Sequence, residues 1–422
     1  ETEVFQAYPM NPTNRQEKLG EARDIEGWTK FTFPGRNGEY SDFIWDFNCF
    51  SGIDFDQRTG ESGIFMIKGE NKGWADDEAV DGENGNFDYL MFADIDYGNP
   101  YVQEEVLKWA RWYLDSFNLN GFRMDALKHI DFAFIDQLIS ALRENNPDIY
   151  VVGEYWQSNT GVLFDYLTET DYQIDLFDVA LHQRFKQAAA SWDQFDMGSL
   201  LEGSLLKDRP DLAVPFVDNH DSQPGQALES WVDEWFKPIA YGVILLHQSG
   251  LPAIFYGDYY GIESIDYKGF QETLDKLLAL RRGNAYGDQH DYFDHKNCIG
   301  YTRTGDDEHP DGLAFIATNG EQAKKRMYVG ELHVGEEWVD AMGEIEGSVT
   351  IEEDGTGVFK VHPGSMSVWV NKSDADHIDG EAEEDFEDTS YFEETPTEEM
   401  AEPDVEAAQV EDAEVAAADQ NE

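Results

Sequence analysis

Three carboxylic acids each follow a short apolar segment of the chain. Asp125, Glu154 and Asp221 end segments whose apolar pattern is typical of a β-strand. In parallel α/β folds, a polar residue just past the carboxyl end of a strand lies at the functional face. Three such carboxylates can therefore converge on one pocket. The alternative is that each one caps the next helix or pairs with a nearby base.

Convergent carboxylic acids are suited to cleaving a glycosidic bond. A retaining enzyme needs a nucleophile and an acid/base whose carboxyl groups lie about 5–5.5 Å apart. Arg123, two residues before Asp125, favours the ionised form that a nucleophile requires. Tyr155 and Trp156 follow Glu154 and supply apolar surroundings that keep an acid protonated.

The middle of the chain contains the elements that must position these residues. Alternation of short apolar segments with helical patterns predicts parallel strands joined by helical crossovers. This suits part of an eight-stranded barrel or an open doubly wound sheet. A further helix begins at Pro100 with Asn99 as its cap. The strands are predicted at 121–125, 149–154, 174–179, 213–218 and 252–257, and the helices near 131–145, 184–190, 229–249 and 270–282.

The two ends of the chain differ from its middle. Residues 1–95 are irregular and rich in Gly and Asp, with strand-like pieces at 29–33 and 63–68. Residues 285–372 are β-rich with turn signals and predict a separate all-β domain. Residues 373–422 hold 21 of the 88 acidic residues and no Lys or Arg. We expect that tail to be disordered.

The charge balance is strongly acidic, with 88 acidic residues against 29 basic ones and a formal net charge of −59. Self-repulsion at this charge destabilises a compact state in dilute buffer. Salt screens it, with a Debye length of about 3 Å at 1 M. We therefore expect a protein suited to high salt; the alternative is an ordinary acidic enzyme with an acidic tail. The phosphate backbone of a nucleic acid would be repelled, so no nucleic-acid partner is expected.

Other partner classes leave few signals. Cys49 and Cys298 fit no metal motif, and a disulfide between them is possible but not indicated. No apolar run reaches the roughly 18 residues of a membrane span, so no membrane partner is expected. The acidic tail is a candidate for binding a basic partner or a cell surface. Deleting residues 373–422 and measuring salt tolerance would test that role.

Three motifs occur in order along the chain: GFRMDALKH at 121–129, VVGEYW at 151–156 and FVDNHDSQPGQ at 216–226. Longer stretches accompany them: FTFPGR at 31–36, ENGNFDYLMFADIDY at 83–97, FYGDYYG at 255–261 and YGDQHDYFDH at 286–295. Together they resemble the alpha-amylase family of glycoside hydrolases, specifically the liquefying bacterial type, up to about residue 371.

The resemblance implies an α/β fold, a (β/α)₈ TIM barrel with an inserted B domain and a C-terminal β-sandwich. Residues 1–95 would be the B domain, 96–284 barrel strands 4 to 8, 285–372 the sandwich and 373–422 the acidic tail. Nothing matches the first three strands of the family, so we expect an N-terminally truncated, partial barrel with open edges. Such a fragment is expected to be inactive alone and its intact parent active.

The family's motifs also imply roles for single residues. Asp125 matches the nucleophile, Glu154 the acid/base and Asp221 the transition-state stabiliser. Residues matching substrate-binding positions are Arg123, Lys128, His129, Tyr155, Trp156 and His220. The activity implied is retaining endo-hydrolysis of α-1,4-glucosidic bonds in starch and related glucans. The alternatives are a maltooligosaccharide-forming amylase, a glucanotransferase or a non-catalytic relative. We expect a monomer located outside the cell, with a cytoplasmic location as the alternative.

Calcium is the cofactor that the resemblance implies. Asp88 and Asp94 match carboxylate ligands, and His129 matches a residue that gives its backbone carbonyl, all oxygen ligands that suit Ca²⁺. The alternative is an acidic surface cluster. Asp77 and Asp96 match a further metal cluster of some relatives. Ser51 and Gly98, however, stand where those relatives carry carboxylates.

Overall fold

The computed structural model describes residues 1–144 and 146–378. The acidic segment 379–422 therefore lies outside the described residues. The helices are α1 (Pro100–Phe117), α2 (Phe132–Arg143), α3 (Thr160–Glu169), α4 (Val179–Ser191), α5 (Leu205–Asp208), α6 (Lys237–Leu246), α7 (Tyr256–Tyr260), α8 (Gln271–Gly283) and α9 (Lys372–Ile378).

The strands form two large antiparallel sheets, one antiparallel pair and one parallel sheet. They are β1 (Thr2–Asn11), β2 (Asn14–Lys18), β3 (Arg23–Trp28), β4 (Phe50–Asp56), β5 (Glu61–Ile67), β6 (Asp94–Ile95), β7 (Gly121–Met124), β8 (Tyr150–Gly153), β9 (Asp175–Phe177), β10 (Ala213–Val214), β11 (Gln289–Asp291), β12 (Cys298–Arg303), β13 (Leu313–Thr318), β14 (Ala323–Tyr328), β15 (Glu337–Asp340), β16 (Val349–Thr350), β17 (Thr356–Val361) and β18 (Met366–Asn371).

The first sheet is antiparallel and occupies the N-terminal part of the chain. Its strands run in the order β2-β1-β5-β4-β6, and β3 also pairs with β1, along Thr2–Ala7. Phe5, Ile25 and Phe65 form part of its buried core. The predicted strand at 63–68 is confirmed as β5, but the one at 29–33 is wrong, because only Phe31 forms a single bridge there, to Trp45.

The parallel sheet runs in the order β10-β9-β8-β7, and helices α1 to α4 connect or flank its strands. The first four predicted strands are confirmed, although each is shorter than predicted. The prediction of a fifth strand at 252–257 is wrong. Leu251 N and Ala253 N donate to Ala213 O and Pro215 O at 2.9 Å, but Pro252 has no N–H and α7 begins at residue 256. Within the described residues the sheet is open rather than a closed ring.

The C-terminal part contains a sheet in the order β11-β12-β13-β18-β15-β16 and the pair β14-β17. One face of this part shares the main hydrophobic core with α6: the Tyr301 hydroxyl donates to Gly242 O at 2.6 Å, and Phe315 is fully buried. The sequence pattern predicts five of these strands, at 312–318, 325–329, 348–351, 357–361 and 365–370, and misses β11, β12 and β15. Cys49 and Cys298 are both buried and free.

Two predicted boundaries are corrected by the structure. The helix predicted at 229–249 spans only Lys237–Leu246, because Pro238 sits in its first turn. The acidic tail was predicted to be disordered from residue 373, but α9 occupies Lys372–Ile378. Asp374 on α9 accepts a hydrogen bond from Asn284 at 3.5 Å, which ties this start of the tail to α8. None of the described helices combines the length and apolarity needed to span a bilayer.

The predicted cap of α1 is confirmed. The Asn99 side-chain oxygen accepts from Tyr101 N at 3.0 Å, and Pro100 occupies the first helical position. Asn99 Nδ2 also donates to Asn48 O at 3.0 Å. Asn99 therefore both starts the helix and ties it to the segment before β4.

We expect Asn99→Ala to lower the free energy of unfolding by about 1 kcal/mol, since the first turn of α1 loses its side-chain acceptor. Urea unfolding followed by circular dichroism measures the change. Asn99→Ser is the matched control, because it keeps a capping oxygen and should recover most of the loss. Equal midpoints for the alanine variant and the unaltered chain would show that the cap contributes nothing.

Candidate active site

The ends of β7 and β8 bring Asp125 and Glu154 together. The two strands pair in parallel, with Met124 opposite Gly153. Two backbone hydrogen bonds continue the pairing past the strands: Glu154 N donates to Met124 O at 2.8 Å, and Leu127 N donates to Glu154 O at 2.9 Å. A Cβ atom at Gly153 would lie 2.2 Å from Leu127 Cδ1, so glycine permits this close approach. The pairing fixes both carboxylates at the same edge of the sheet.

The guanidinium of Arg123 contacts both carboxylates. Arg123 Nη1 donates to Asp125 Oδ1, and Nη2 lies 3.3 Å from Glu154 Oε2. The Asp125 side chain is 70% exposed, whereas that of Glu154 is 7% exposed. Burial raises the pKa of Glu154, and the neighbouring Asp125 raises it further, against the lowering effects of Ala126 N–H and Arg123. The pair thus consists of a solvated carboxylate and a buried acid that holds its proton to higher pH.

Ala126 follows Asp125 in a left-handed conformation, with φ 54° and ψ 37°. This conformation costs an L-residue about 1–2 kcal/mol. It directs Ala126 N toward Glu154 Oε2 at 3.3 Å. The strained turn therefore provides a backbone donor to the buried carboxyl group.

Asp221 lies in the loop that follows β10, at the opposite edge of the sheet from β7. The described residues contain no hydrogen bond or ion pair between Asp221 and either Asp125 or Glu154. Its strand, β10, is the opposite edge of the four-stranded sheet from β7, about 14 Å away at the usual spacing between strands. His220 Nε2 lies 3.2 Å from Asp221 Oδ2, and both side chains are accessible to solvent. The structure thus joins two of the three predicted catalytic residues by direct contacts.

Lys128 and His129 connect the site to the segment before β6. Lys128 Nζ bonds Glu83 Oε2 at 2.8 Å and lies 4.7 Å from the Phe87 ring centroid. His129 Nδ1 lies 2.7 Å from Phe87 O, and burial lowers the pKa of its imidazole to about 4. His129 is therefore neutral at physiological pH. The predicted substrate contacts of both residues stay predictions.

The two aromatic residues after Glu154 have different surroundings. Tyr155 is 5% exposed, and its hydroxyl donates to Asp81 Oδ2 at 3.1 Å. Its ring centroid lies 4.8 Å from that of Tyr166, so the Tyr155 side chain connects Asp81 to α3. The predicted stacking of Tyr155 on a sugar ring stays a prediction. Trp156 is half-buried, with its ring 5.7 Å from that of His182. Trp156 is thus the better candidate for stacking on a sugar ring.

A buried ion cluster next to Asp221 was not predicted from the sequence. Lys237 Nζ lies 2.8 Å from Asp218 Oδ2 and 2.5 Å from Asp258 Oδ1, and all three side chains are fully buried. Burial raises the pKa of Asp218 to about 7, with Lys237 opposing the shift and Asp258 adding to it. The only sequence signal was Lys237 within an otherwise apolar helix, since a buried lysine requires anionic partners.

The predicted calcium ligands Asp88 and Asp94 are buried carboxylates close to one another. Burial raises the pKa of both, that of Asp88 to about 7. Repulsion from Asp96 and Asp131 adds to the shift of Asp88, and repulsion from Asp88 adds to that of Asp94. Their hydrogen-bond donors are neutral: Ala75 N bonds Asp88 Oδ2 at 2.9 Å, and the Ser51 hydroxyl donates to Asp94 Oδ2. A hard cation would relieve this repulsion, so these two residues fit oxygen ligands of calcium.

The residues predicted for a further metal fit less well. Lys72 Nζ lies 2.5 Å from Asp96 Oδ2 and already neutralises it, while Asp77 accepts from Asn86 at 2.9 Å and from Gln16. Across residues 1–144 and 146–378, no three His, Cys, Asp or Glu side chains are arranged to hold a metal ion. The geometry therefore favours Asp88 and Asp94 over Asp77 and Asp96 as ligands.

We expect Asp125→Asn to lower the pKa of Glu154, because the neighbouring negative charge is removed. Titration of ¹³C-labelled glutamate by NMR measures this pKa. Asp221→Asn, the matched control, should leave it unchanged, since no contact joins the two side chains. Equal shifts in both variants would contradict the separation seen here.

Comparisons with known proteins agree on one family. The model of the alpha amylase catalytic domain matches residues 65–291. An alpha-amylase of Geobacillus stearothermophilus is 46% identical over 87% of this chain and 67% of that protein. A glucan 1,4-alpha-maltohexaosidase of Bacillus sp. (strain 707) is 43% identical over 88% and 72%. The cytoplasmic alpha-amylase of Escherichia coli (strain K12) is 40% identical over 88% and 77%.

The fold comparison points the same way. A crystal structure of alpha-amylase from Geobacillus thermoleovorans in complex with acarbose matches with a TM-score of 0.54 and 20% identity, over 72% of this chain and 70% of that one. This likeness supports a fold of the TIM-barrel type. On the sequence match to the catalytic domain and to these relatives, the chain belongs to the alpha-amylase family of glycoside hydrolases.

Proposed function

We propose that this protein is an alpha-amylase that hydrolyses internal α-1,4-glucosidic bonds of starch and related glucans with retention of configuration. The observation that carries the proposal is the pair formed by solvated Asp125 and buried Glu154, both held by Arg123. A retaining glycosidase needs two carboxyl groups in these two states at close range. The family relatives named above support the same activity.

In the proposed mechanism, the Asp125 carboxylate attacks the anomeric carbon while Glu154 donates its proton to the departing glycosidic oxygen. Glu154, now ionised, accepts a proton from the water that hydrolyses the glycosyl-enzyme bond and so regains its acid form. The raised pKa of Glu154 extends to higher pH the range in which it keeps its proton, and activity is lost as the pH rises through that pKa. Asp221, assisted by His220, stabilises the oxocarbenium-like transition state from the loop after β10.

We further propose the domain assignment that the family implies. The antiparallel sheet of β1–β6 is the B domain (1–95), the parallel sheet with its helices is barrel strands 4 to 8 (96–284), and the C-terminal sheets form a β-sandwich (285–372). Supporting this, Asp81 N donates to Lys128 O and Phe132 N to Ala79 O, which binds the 79–81 segment directly onto the catalytic region. The Lys128–Glu83 ion pair adds to that attachment.

A second candidate is an enzyme that releases a maltooligosaccharide of defined length. The observation favouring it is the 43% identity to a protein named as a maltohexaosidase. The two activities share the same carboxylates, so they differ in product profile rather than in chemistry. A time course of products from amylose separates them: a mixture of lengths supports the amylase, and one dominant length supports the second candidate.

Location and assembly are also proposals. Polymeric starch occurs outside cells, which supports an extracellular enzyme, while the cytoplasmic relative supports the alternative. We propose a monomer, which light scattering of the purified protein tests. Fractionation of the source cells, with starch hydrolysis assayed in medium and lysate, tests the location.

We propose calcium as the cofactor, held by Asp88 and Asp94 with the backbone carbonyl of His129. When bound, the ion would neutralise two buried carboxylates and join β6, the segment before it and the loop after β7. Its role is structural, since the catalytic carboxylates act without it in the mechanism above.

We expect chelation by EDTA to lower the melting temperature and added Ca²⁺ to restore it, because the buried carboxylates then regain their counter-ion. Differential scanning calorimetry measures both changes. In Asp94→Asn the response to Ca²⁺ should disappear, while Asp42→Asn, at an exposed aspartate, should keep it. Equal recovery with Mg²⁺ at the same concentration would point to non-specific screening and count against the site.

We expect Glu154→Gln, Asp125→Asn and Asp221→Asn each to lower kcat on soluble starch by about 10³-fold, because each removes a carboxyl group from the reaction. Reducing-sugar release is measured for the 422-residue chain and for the natural protein as encoded in its organism. Asp165→Asn, an exposed carboxylate on α3, is the control and should keep full activity. Undiminished hydrolysis by Glu154→Gln, or initial products of β configuration, would overturn the mechanism.

A further inference from the structure

The buried ion cluster lies beneath the loop 218–222. Its cation, Lys237, is the first residue of α6, and its two anions come from elsewhere: Asp218 from the segment after β10, and Asp258 from α7. Lys237 Nζ also lies 3.1 Å from the centroid of the Trp231 ring. Three separate parts of the chain therefore meet at one charged group that has no access to solvent.

Neutral hydrogen-bond donors occupy the remaining positions around the two carboxylates of the cluster. The hydroxyl groups of Tyr241 and Tyr267 donate to the two oxygens of Asp258 at 2.7 and 2.9 Å, and Val232 N donates to Asp218 Oδ2 at 3.2 Å. Buried ion pairs often stabilise a fold no better than apolar residues of the same size. Their directional bonds do, however, fix the positions of the groups they join. The cluster is thus best understood as a device that determines where Asp218 lies.

A chain of short contacts leads from Asp218 to Asp221. The Ser222 hydroxyl donates to Asp218 Oδ1 at 2.7 Å and accepts from Asn219 N at 2.9 Å. Asn219 Oδ1 in turn accepts from Asp221 N at 2.9 Å and from Ser222 N at 2.8 Å. Ser222 is fully buried, whereas Asp221 and His220 reach solvent. Ser222 is therefore the group through which the buried cluster contacts the backbone of the loop.

We propose that Ser222 is a positioning residue, which transmits the constraint of the Lys237–Asp218 pair to the loop that carries Asp221. The inference rests on the proposed function only in giving Asp221 its catalytic role. Ser222 does not touch substrate; it sets the place of a carboxylate that does. Fixed placement matters, because a displacement of about 1 Å in a reacting group can cost about 10²-fold in rate.

The deciding variant is Ser222→Ala, which removes the hydroxyl and leaves the ion cluster intact. Lys237→Met would leave two buried carboxylates without a counter-ion, and loss of folding would then hide the effect. Ser222→Thr is the conservative variant that keeps the hydroxyl. Ser367→Ala is the matched control, since its fully buried hydroxyl donates to Lys360 O in the C-terminal sheet, in a separate sheet from Asp221.

We expect Ser222→Ala to lower kcat on soluble starch by about tenfold, with KM within about twofold of the unaltered enzyme. Ser222→Thr should restore most of kcat, and Ser367→Ala should leave both constants unchanged at a similar melting temperature. A Ser222→Ala enzyme with unchanged kcat, or a folded Ser222→Thr variant no better than Ser222→Ala, would overturn the proposal.

Hydrogen exchange separates this proposal from the proposed function. In Ser222→Ala the amides of Asn219 and Asp221 should exchange about tenfold faster, whereas Ser367→Ala should leave them unchanged. Unchanged exchange in Ser222→Ala would overturn the positioning role whatever the activity. Faster exchange together with a fully active Asp221→Asn variant would leave Ser222 holding the loop and refute the catalytic role of Asp221.

Discussion

The parallel pairing of β7 with β8 is the constraint on which the candidate site depends. Arg123 sits within β7 and reaches the carboxyl groups that end both strands. Because two backbone hydrogen bonds continue the pairing as far as Leu127, the distance between the two acids is set by sheet geometry rather than by flexible side chains. A slip of the register would separate the charges that Arg123 now joins.

The two acids differ in their exposure to solvent, and this difference suits them to different roles. One guanidinium contacts both groups, yet only Glu154 is withdrawn from water, so burial raises the pKa of Glu154. The same physical effect recurs at Asp88, Asp94 and Asp218, each a buried carboxyl group with a raised pKa. What differs is the partner. A lysine pairs with Asp218, whereas neutral groups donate to Asp88 and Asp94, and these two carboxylates fit the ligands of a metal ion.

The sequence predicted the elements that depend on local signals. The cap of α1 and the strands before Asp125 and Glu154 were read from residue types and alternation, and both agree with the structure. The prediction of the fifth strand is wrong because pairing beside β10 depends on residues far away in the chain. Pro252, which has no N–H to donate, also limits that pairing. The contacts of Tyr155 with Tyr166 and Asp81 could not be predicted, because no pattern near Tyr155 reveals these partners. The Lys237 cluster was missed for the same reason, since its members are far apart in the chain.

The left-handed turn at Ala126 limits how this protein can vary. A β-branched side chain there would clash in a conformation that already strains alanine. Glycine would relax the strain but would increase the entropy of the unfolded chain. Asparagine adopts the conformation readily, whereas aspartate would add a negative charge beside two carboxylates. The mutational tolerance of position 126 is therefore restricted to a few small residues, although its side chain performs no chemistry.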